Sequence, residues 1–119
     1  MNVSDAHRIA RDALDLRGLS PWIIRWEDGW VRRAGRCDPN TKTIYLSVPF
    51  VTVNDEREVR EIIYHEIAHA MVPWDSHGPV WQRVARLLGC SGREQPRLRL
   101  PPLRRGGSRR ALTTTTARV

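Results

Sequence analysis

The feature that most constrains this chain is the sequence His65-Glu66-Ile67-Ala68-His69. Residues four apart on an α-helix are separated by about 40° around the axis and about 6 Å along it, so both imidazoles project from one face. Two histidines in that arrangement are typical zinc ligands, and a glutamate between them is the expected general base for a water molecule. The motif predicts zinc-dependent hydrolytic chemistry, provided that the segment is helical.

The sequence around the motif has the start and stop signals of a helix over residues 55–71. Asn54 can cap its N-terminus, Asp55 and Glu56 suit the positive end of the helix dipole, and Pro73 ends the pattern. The motif is therefore expected on a helix.

A helical wheel places Glu66 on the apolar side of that helix. With Ile62 at 0°, Ile63 and Ile67 fall at about 100° and about 140°, and Glu66 falls at about 40°, inside the arc that they define. An unpaired buried carboxylate is costly, so its presence on this side indicates a partner or a catalytic task. This argument for Glu66 is independent of the motif.

A catalytic zinc site usually has three protein ligands and leaves the fourth position to water. His77 is the predicted third ligand, because it directly precedes Gly78 and Pro79 at the start of the next helix. A helix N-terminus disfavours imidazolium and keeps a histidine in the neutral form that binds metal. Asp75 and Glu94 remain alternatives as the third ligand. If His77 is not a ligand, it is expected to cap the helix.

The rest of the chain predicts an α+β domain. An N-terminal helix begins near Ser4 and stops at Gly18, a short antiparallel sheet is packed on the active-site helix, and one further helix follows from Pro79 to Gly89. The predicted strands cover residues 22–26, 29–37 and 43–48, with a type I turn at 38–41.

The charge is distributed unevenly along the 119 residues. Residues 1–92 hold 12 Arg or Lys against 12 Asp or Glu, whereas residues 93–119 hold eight arginines against Glu94 alone. This composition predicts a domain over 1–92 and a basic, disordered tail over 93–119. Phosphate contacts are expected from the tail, at Arg104, Arg105, Arg109 and Arg110.

Other features of the sequence narrow the class of protein. No segment approaches the roughly 20 apolar residues that a spanning helix requires, and no basic leader precedes an apolar run, so we expect a cytoplasmic protein with no membrane partner. Cys37 and Cys90 form neither a disulfide framework nor a four-cysteine zinc module. The sequence does not indicate the oligomeric state.

Three segments carry a resemblance to a known family: Ala34-Gly35-Arg36-Cys37 leading to Ile44-Tyr45-Leu46-Ser47, the motif at His65, and His77-Gly78-Pro79-Val80-Trp81. In these segments the chain resembles the SprT-like zinc metallopeptidases, which include the Spartan proteases that degrade proteins crosslinked to DNA. By resemblance, the three histidines are zinc ligands, Glu66 is the catalytic base, and the fold is a small zincin-like α+β domain.

Two departures limit what the resemblance implies. Only seven residues separate His69 from His77, a shorter loop than many members use, and no cysteine-rich module follows the active-site helices. Any DNA contact is then expected from the arginine tail or the domain surface.

The sequence thus predicts a zinc endopeptidase that acts on a protein or peptide substrate, including DNA-bound or DNA-crosslinked proteins, with residues 43–48 as the strand that pairs with substrate. One alternative is a nucleic-acid-binding module with a purely structural zinc site, closed by a fourth ligand such as Asp75. Another is a metallopeptidase that acts on a regulatory protein away from DNA.

Overall fold

A computed structural model describes residues 1–103 and the backbone of 114–116. None of the described helices is long and apolar enough to cross a membrane. The α+β class predicted from the sequence is confirmed. In chain order the described elements are α1 (Val3–Leu16), β1 (Ile23–Glu27), β2 (Gly35–Asp38), β3 (Thr43–Ser47), α2 (Val48–Val53), α3 (Glu56–Met71), α4 (Pro79–Leu88), β4 (Arg97–Arg99) and β5 (Thr114–Thr116).

The main sheet has the strand order β1-β3-β2 and is mixed. β3 runs antiparallel to β2 but parallel to β1, so the prediction of an antiparallel sheet is wrong for β1. The side chains explain why β3 lies at the centre of the sheet. β3 carries the buried Ile44 and Leu46, whereas β2 offers only Gly35 and Cys37 at the paired positions. The most apolar strand takes the centre, where it is covered along both edges.

Helix α1 begins earlier than predicted, because Asn2 rather than Ser4 is its cap. The side-chain oxygen of Asn2 accepts a hydrogen bond from the backbone N–H of Asp5 at 2.7 Å. The helix then buries Ala6 and Leu14 in the main core.

Helix α2 (Val48–Val53) differs from the sequence-based prediction, which ends a strand at residue 48 and places no helix there. The hydroxyl of Ser47 accepts a hydrogen bond from the backbone N–H of Phe50 at 3.1 Å, and Pro49 lies in the first helical turn. Proline lacks an N–H for a ladder but suits a helix start. The chain therefore leaves β3 directly into a helix.

Helix α3 matches the predicted helix closely, although its cap is Asp55 and not Asn54. Asp55 and Glu58 form a capping box, in which the Glu58 carboxylate accepts from the Asp55 backbone N–H at 3.0 Å. The Asn54 side chain instead donates to the Arg99 carbonyl at 2.9 Å and accepts from the Arg99 N–H at 2.8 Å. Asn54 thereby ties β4 to the start of α3.

Residues 93–103 belong to the folded domain, so the prediction of a disordered tail from residue 93 is wrong for this stretch. Leu98 is fully buried in the main core, and Pro101 is also buried. Alternation of Leu98 with Arg97 and Arg99 was the strand signal that the basic composition concealed. The arginines predicted to contact nucleic acid, Arg104, Arg105, Arg109 and Arg110, lie outside the described residues.

Candidate active site

The three predicted metal ligands converge on one point. His65 and His69 come from successive turns of α3, and His77 comes from the loop between α3 and α4. Their Nε2 atoms are 3.2 Å apart for His65 and His69, 3.0 Å for His69 and His77, and 3.1 Å for His77 and His65. Nitrogen ligands at 2.0–2.1 Å from a tetrahedral zinc ion are separated by about 3.3 Å. The donor set therefore fits a single ion of this kind.

Trp81, on the first turns of α4, forms a wall behind the cluster. Its ring centroid lies 4.7 Å from that of His65, 5.1 Å from His69 and 4.8 Å from His77, and its side chain is fully buried. Contact with all three imidazoles restricts how each ring can turn.

The histidines on α3 are held in the neutral form. Burial, followed by the charges of His69 and His77, lowers the pKa of His65 to about 3, while the backbone of Arg93 nearby opposes this shift. Burial and then His77 lower the pKa of His69 to about 4. Neutral imidazole is the form that binds a metal ion, so the site is ready to bind one at neutral pH.

Glu66 is buried beside this cluster, which confirms the placement read from the helical wheel. Its side chain is 1% exposed, and its Oε2 atom has no hydrogen-bond partner among the described residues. Burial raises the pKa of Glu66 to about 8, and the positive charge of Arg33 opposes that rise. A carboxylate in this state is costly unless it has a task in the site.

Gly35 on β2 makes room for Glu66, a role that the sequence analysis missed. A Cβ atom at Gly35 would lie 3.1 Å from Oε2 and 3.2 Å from Cγ of Glu66, and 3.2 Å from Cγ2 of Ile62. Any larger residue would require the side chains of Glu66 and Ile62 to move. A glycine inside a strand often marks such a close approach, and this was the available signal.

Asp75, one alternative third ligand, serves a different purpose. Its Oδ2 atom accepts hydrogen bonds from the backbone N–H groups of Val80 at 2.7 Å and Trp81 at 3.0 Å, and so satisfies the N-terminus of α4. The same carboxylate occupies the space that a Cβ at Gly78 would need. Asp75 thus fixes the start of the helix that carries Trp81.

His77 sits in a conformation that few side chains adopt. Its φ angle is +59°, and its carbonyl accepts a hydrogen bond from the Gln82 side chain at 3.0 Å. Glu94, the other alternative ligand, does not join the Nε2 cluster. Its carboxylate lies 3.1 Å from Nδ1, the other nitrogen of the His77 ring.

A cleft of about 300 Å³ opens on the cluster. β2 is its edge strand, while β3 is paired along both edges, so the prediction that residues 43–48 pair with substrate is wrong. Burial raises the pKa of Cys37 in this cleft to about 12, so the thiol stays protonated. The cleft is lined by Arg33, Arg36, Cys37, Pro39, Glu66, His69, Pro73, Ser76 and His77.

Comparison with known proteins agrees with this geometry. The sequence profile of the SprT-like family matches residues 6–100. The chain belongs to the SprT-like family. Its match extends past residue 92, in agreement with the packed residues 93–103 of this SprT-like domain.

The fold of this SprT-like protein is similar to that seen in the crystal structure of the metallopeptidase zymogen of Pyrococcus abyssi abylysin. The TM-score is 0.52, with 24% sequence identity over 71% of this chain and 76% of that chain. At that identity the likeness shows a shared fold. A search of curated protein sequences finds no significant match.

Proposed function

We propose that this chain is a zinc-dependent peptidase. The observation that carries the proposal is the buried Glu66 carboxylate beside three converging Nε2 atoms, with Glu66, His69 and His77 lining one cleft. Membership of the SprT-like family and a metallopeptidase fold support it.

In this proposal His65, His69 and His77 hold the zinc ion, and Glu66 moves the proton. When bound, zinc would supply Lewis-acid polarisation of the scissile carbonyl and would acidify a water molecule. The Glu66 carboxylate accepts the proton of the attacking water and later delivers it to the leaving amine. Glu66 lines the cleft together with His69 and His77, so its carboxyl group lies where this proton has to move.

The main rival is a zinc ion with a purely structural role, which requires a closed set of four protein ligands. Within the described residues, the only cluster of potential ligands contains the three histidines and no fourth group. Asp75, the expected fourth ligand, is engaged at the start of α4. These observations favour an open, catalytic site.

The Glu66→Gln variant tests the proposal, because glutamine keeps the size of the side chain but cannot take the proton. We expect zinc affinity to stay at the parent level and the cleavage rate of a fluorogenic peptide library to fall by about 10²–10⁴-fold. Glu27→Gln, on the far edge of the sheet, is the matched control and should cleave at the parent rate. Equal cleavage by Glu66→Gln and the parent would rule out the assigned role.

We also propose that the protein is cytoplasmic and that its substrates include DNA-bound proteins. Its eight arginines after residue 92 support contact with DNA through the tail. The test is a full-length variant with Arg104, Arg105, Arg109 and Arg110 changed to Gln. We expect weaker DNA binding in a mobility assay and a shallower dependence on salt.

A control variant for DNA binding carries the same change of charge on the domain, at the exposed Arg17, Arg25, Arg57 and Arg83. If both variants lose DNA affinity equally, the tail has no special role. If the parent cleaves a free regulatory protein as fast as a DNA-bound one, the substrate lies away from DNA.

A further inference from the structure

His77 is the least constrained of the three histidines at the site. His65 is fully buried on α3, and His69 occupies the next turn of the same regular helix. His77 lies in a loop, and its side chain remains 21% exposed. Packing against Trp81 covers one side of its ring, so another contact must fix the ring plane and the choice of nitrogen.

Glu94 makes that contact. Its Oε1 atom lies 3.1 Å from Nδ1 of His77, on the side of the ring opposite the Nε2 cluster. In a neutral imidazole one nitrogen carries the proton and the other has a free lone pair, so the tautomer with its proton on Nδ1 directs that proton to the carboxylate side and the Nε2 lone pair to the cluster. A carboxylate behind a histidine ligand orients the ring and raises its basicity.

Glu94 is itself 70% exposed, so burial does not hold it in place. The chain before it does, in a return segment formed by residues 90–94. The Ser91 N–H donates to both carboxylate oxygens of Glu61 on α3, at 2.9 and 3.1 Å, and Cys90 Sγ contacts the Glu61 carbonyl at 3.8 Å. These contacts bind the return segment to the helix that carries His65 and His69.

Two glycines allow the chain to turn back over the site. Gly89 ends α4 with a φ angle of +106°, and Gly92 has a φ angle of +80°. A Cβ at Gly92 would also lie 3.1 Å from Nε of Arg86. Beyond Glu94, Leu98 is anchored in the core, so both ends of the stretch that carries Glu94 are fixed.

We propose that Glu94 is a positioning residue for His77 and that the return segment holds it there; this inference rests on the proposed metal site. Glu94 does not touch the substrate. It sets the orientation of the third ligand, and Glu61 acts on that ligand through Ser91 and Glu94.

The test measures zinc affinity by competition with a chromogenic chelator, for the full-length parent, Glu94→Ala and Glu94→Gln. We expect Glu94→Ala to bind zinc about 10–100-fold more weakly. Glu94→Gln should lose less, because its amide oxygen can still accept from Nδ1–H. Glu27→Ala and Glu27→Gln are the matched controls for loss of one negative charge.

The visible spectrum of bound Co²⁺ adds a readout of ligand geometry, which we expect to change in Glu94→Ala and not in Glu27→Ala. The thermal unfolding of the metal-free protein should be the same for the parent and Glu94→Ala, because Glu94 is exposed. Zinc affinity of Glu94→Ala within twofold of the parent, or an equal loss in Glu27→Ala, would overturn the proposal.

Failure of the proposed function has a different signature. A parent protein that binds zinc but cleaves no peptide contradicts the peptidase assignment, while the affinity series still decides the role of Glu94. A parent that binds no zinc contradicts both.

Discussion

His65 and His77 contribute the same atom to the same cluster, yet the protein holds them by different means. His65, Glu66 and His69 form a helix side, fixed by the regular geometry of α3 and by close packing against Trp81 and β2. His77 forms a loop side, fixed by side-chain hydrogen bonds of Asp75 and Gln82 and by the contact of its Nδ1 with the Glu94 carboxylate. The positions of the residues on the helix side are held by close packing, whereas the position of His77 on the loop side is held by polar contacts.

This difference predicts different responses to substitution. Apolar packing is sensitive to changes in size, because interiors are close-packed. A loop held by side-chain hydrogen bonds is sensitive to the loss of a single acceptor. The two sides should therefore be separable by experiment, except where one residue serves both.

Trp81 is that shared residue, and its loss should have the largest effect. Trp81→Ala removes a fully buried side chain that contacts all three imidazoles, so we expect about 3–5 kcal/mol less stability and weaker zinc binding. Chemical denaturation of the metal-free protein measures the first effect. Trp74→Ala, at a residue that is 75% exposed, should change the free energy of unfolding by less than about 0.5 kcal/mol. Similar losses in both variants would contradict the shared role.

Gly35→Ala tests the helix side. The added methyl would crowd Glu66 and Ile62, and overpacking of this kind typically costs about 1–3 kcal/mol. Because the crowded atoms belong to Glu66 and not to a histidine, we expect peptidase activity to fall more than zinc affinity. Denaturation, chelator competition and peptide cleavage on one preparation distinguish the effects. A variant with weakened zinc binding and full activity per bound zinc would show that Gly35 acts elsewhere.

Asp75→Ala tests the loop side, with a smaller expected loss of about 0.5–2 kcal/mol for a helix cap. Zinc affinity should fall as well, because the Asp75 side chain links the loop before His77 to the backbone of Val80 and Trp81 after it. Asp55→Ala, which removes the cap of α3, is the matched variant on the other helix. It should lose similar stability while keeping zinc affinity. If Asp55→Ala weakens zinc binding as much, the two sides are not independent.

The sequence predicted the helix side well because each of its features is local. Four-residue spacing brings His65 and His69 together, and the apolar arc of α3 buries Glu66 whatever the remaining chain does. The contacts of the loop side could be predicted less well from the sequence. His77 was identified from its place before a helix, but the partners of its ring and backbone depend on where the chain returns after α4.

The sheet shows the same limit. The strand pattern over residues 43–48 was clear, yet its central position follows from competition for burial among three strands, which no single strand reveals. The packing of residues 93–103 was missed because an argument from composition counts the arginines without regard to the apolar residues between them. The structure depends on one leucine, Leu98, between two of them.

The return segment also has a consequence for the limits of the domain. A chain shortened to residue 92 would keep the three histidines and Glu66 but lose the carboxylate behind His77 and the anchor at Leu98. The smallest unit that preserves the site described above therefore extends beyond α4, at least to residue 103. In an engineered fusion, an added domain should be attached after that point, because a linker placed at residue 92 would cut through the support of the third histidine.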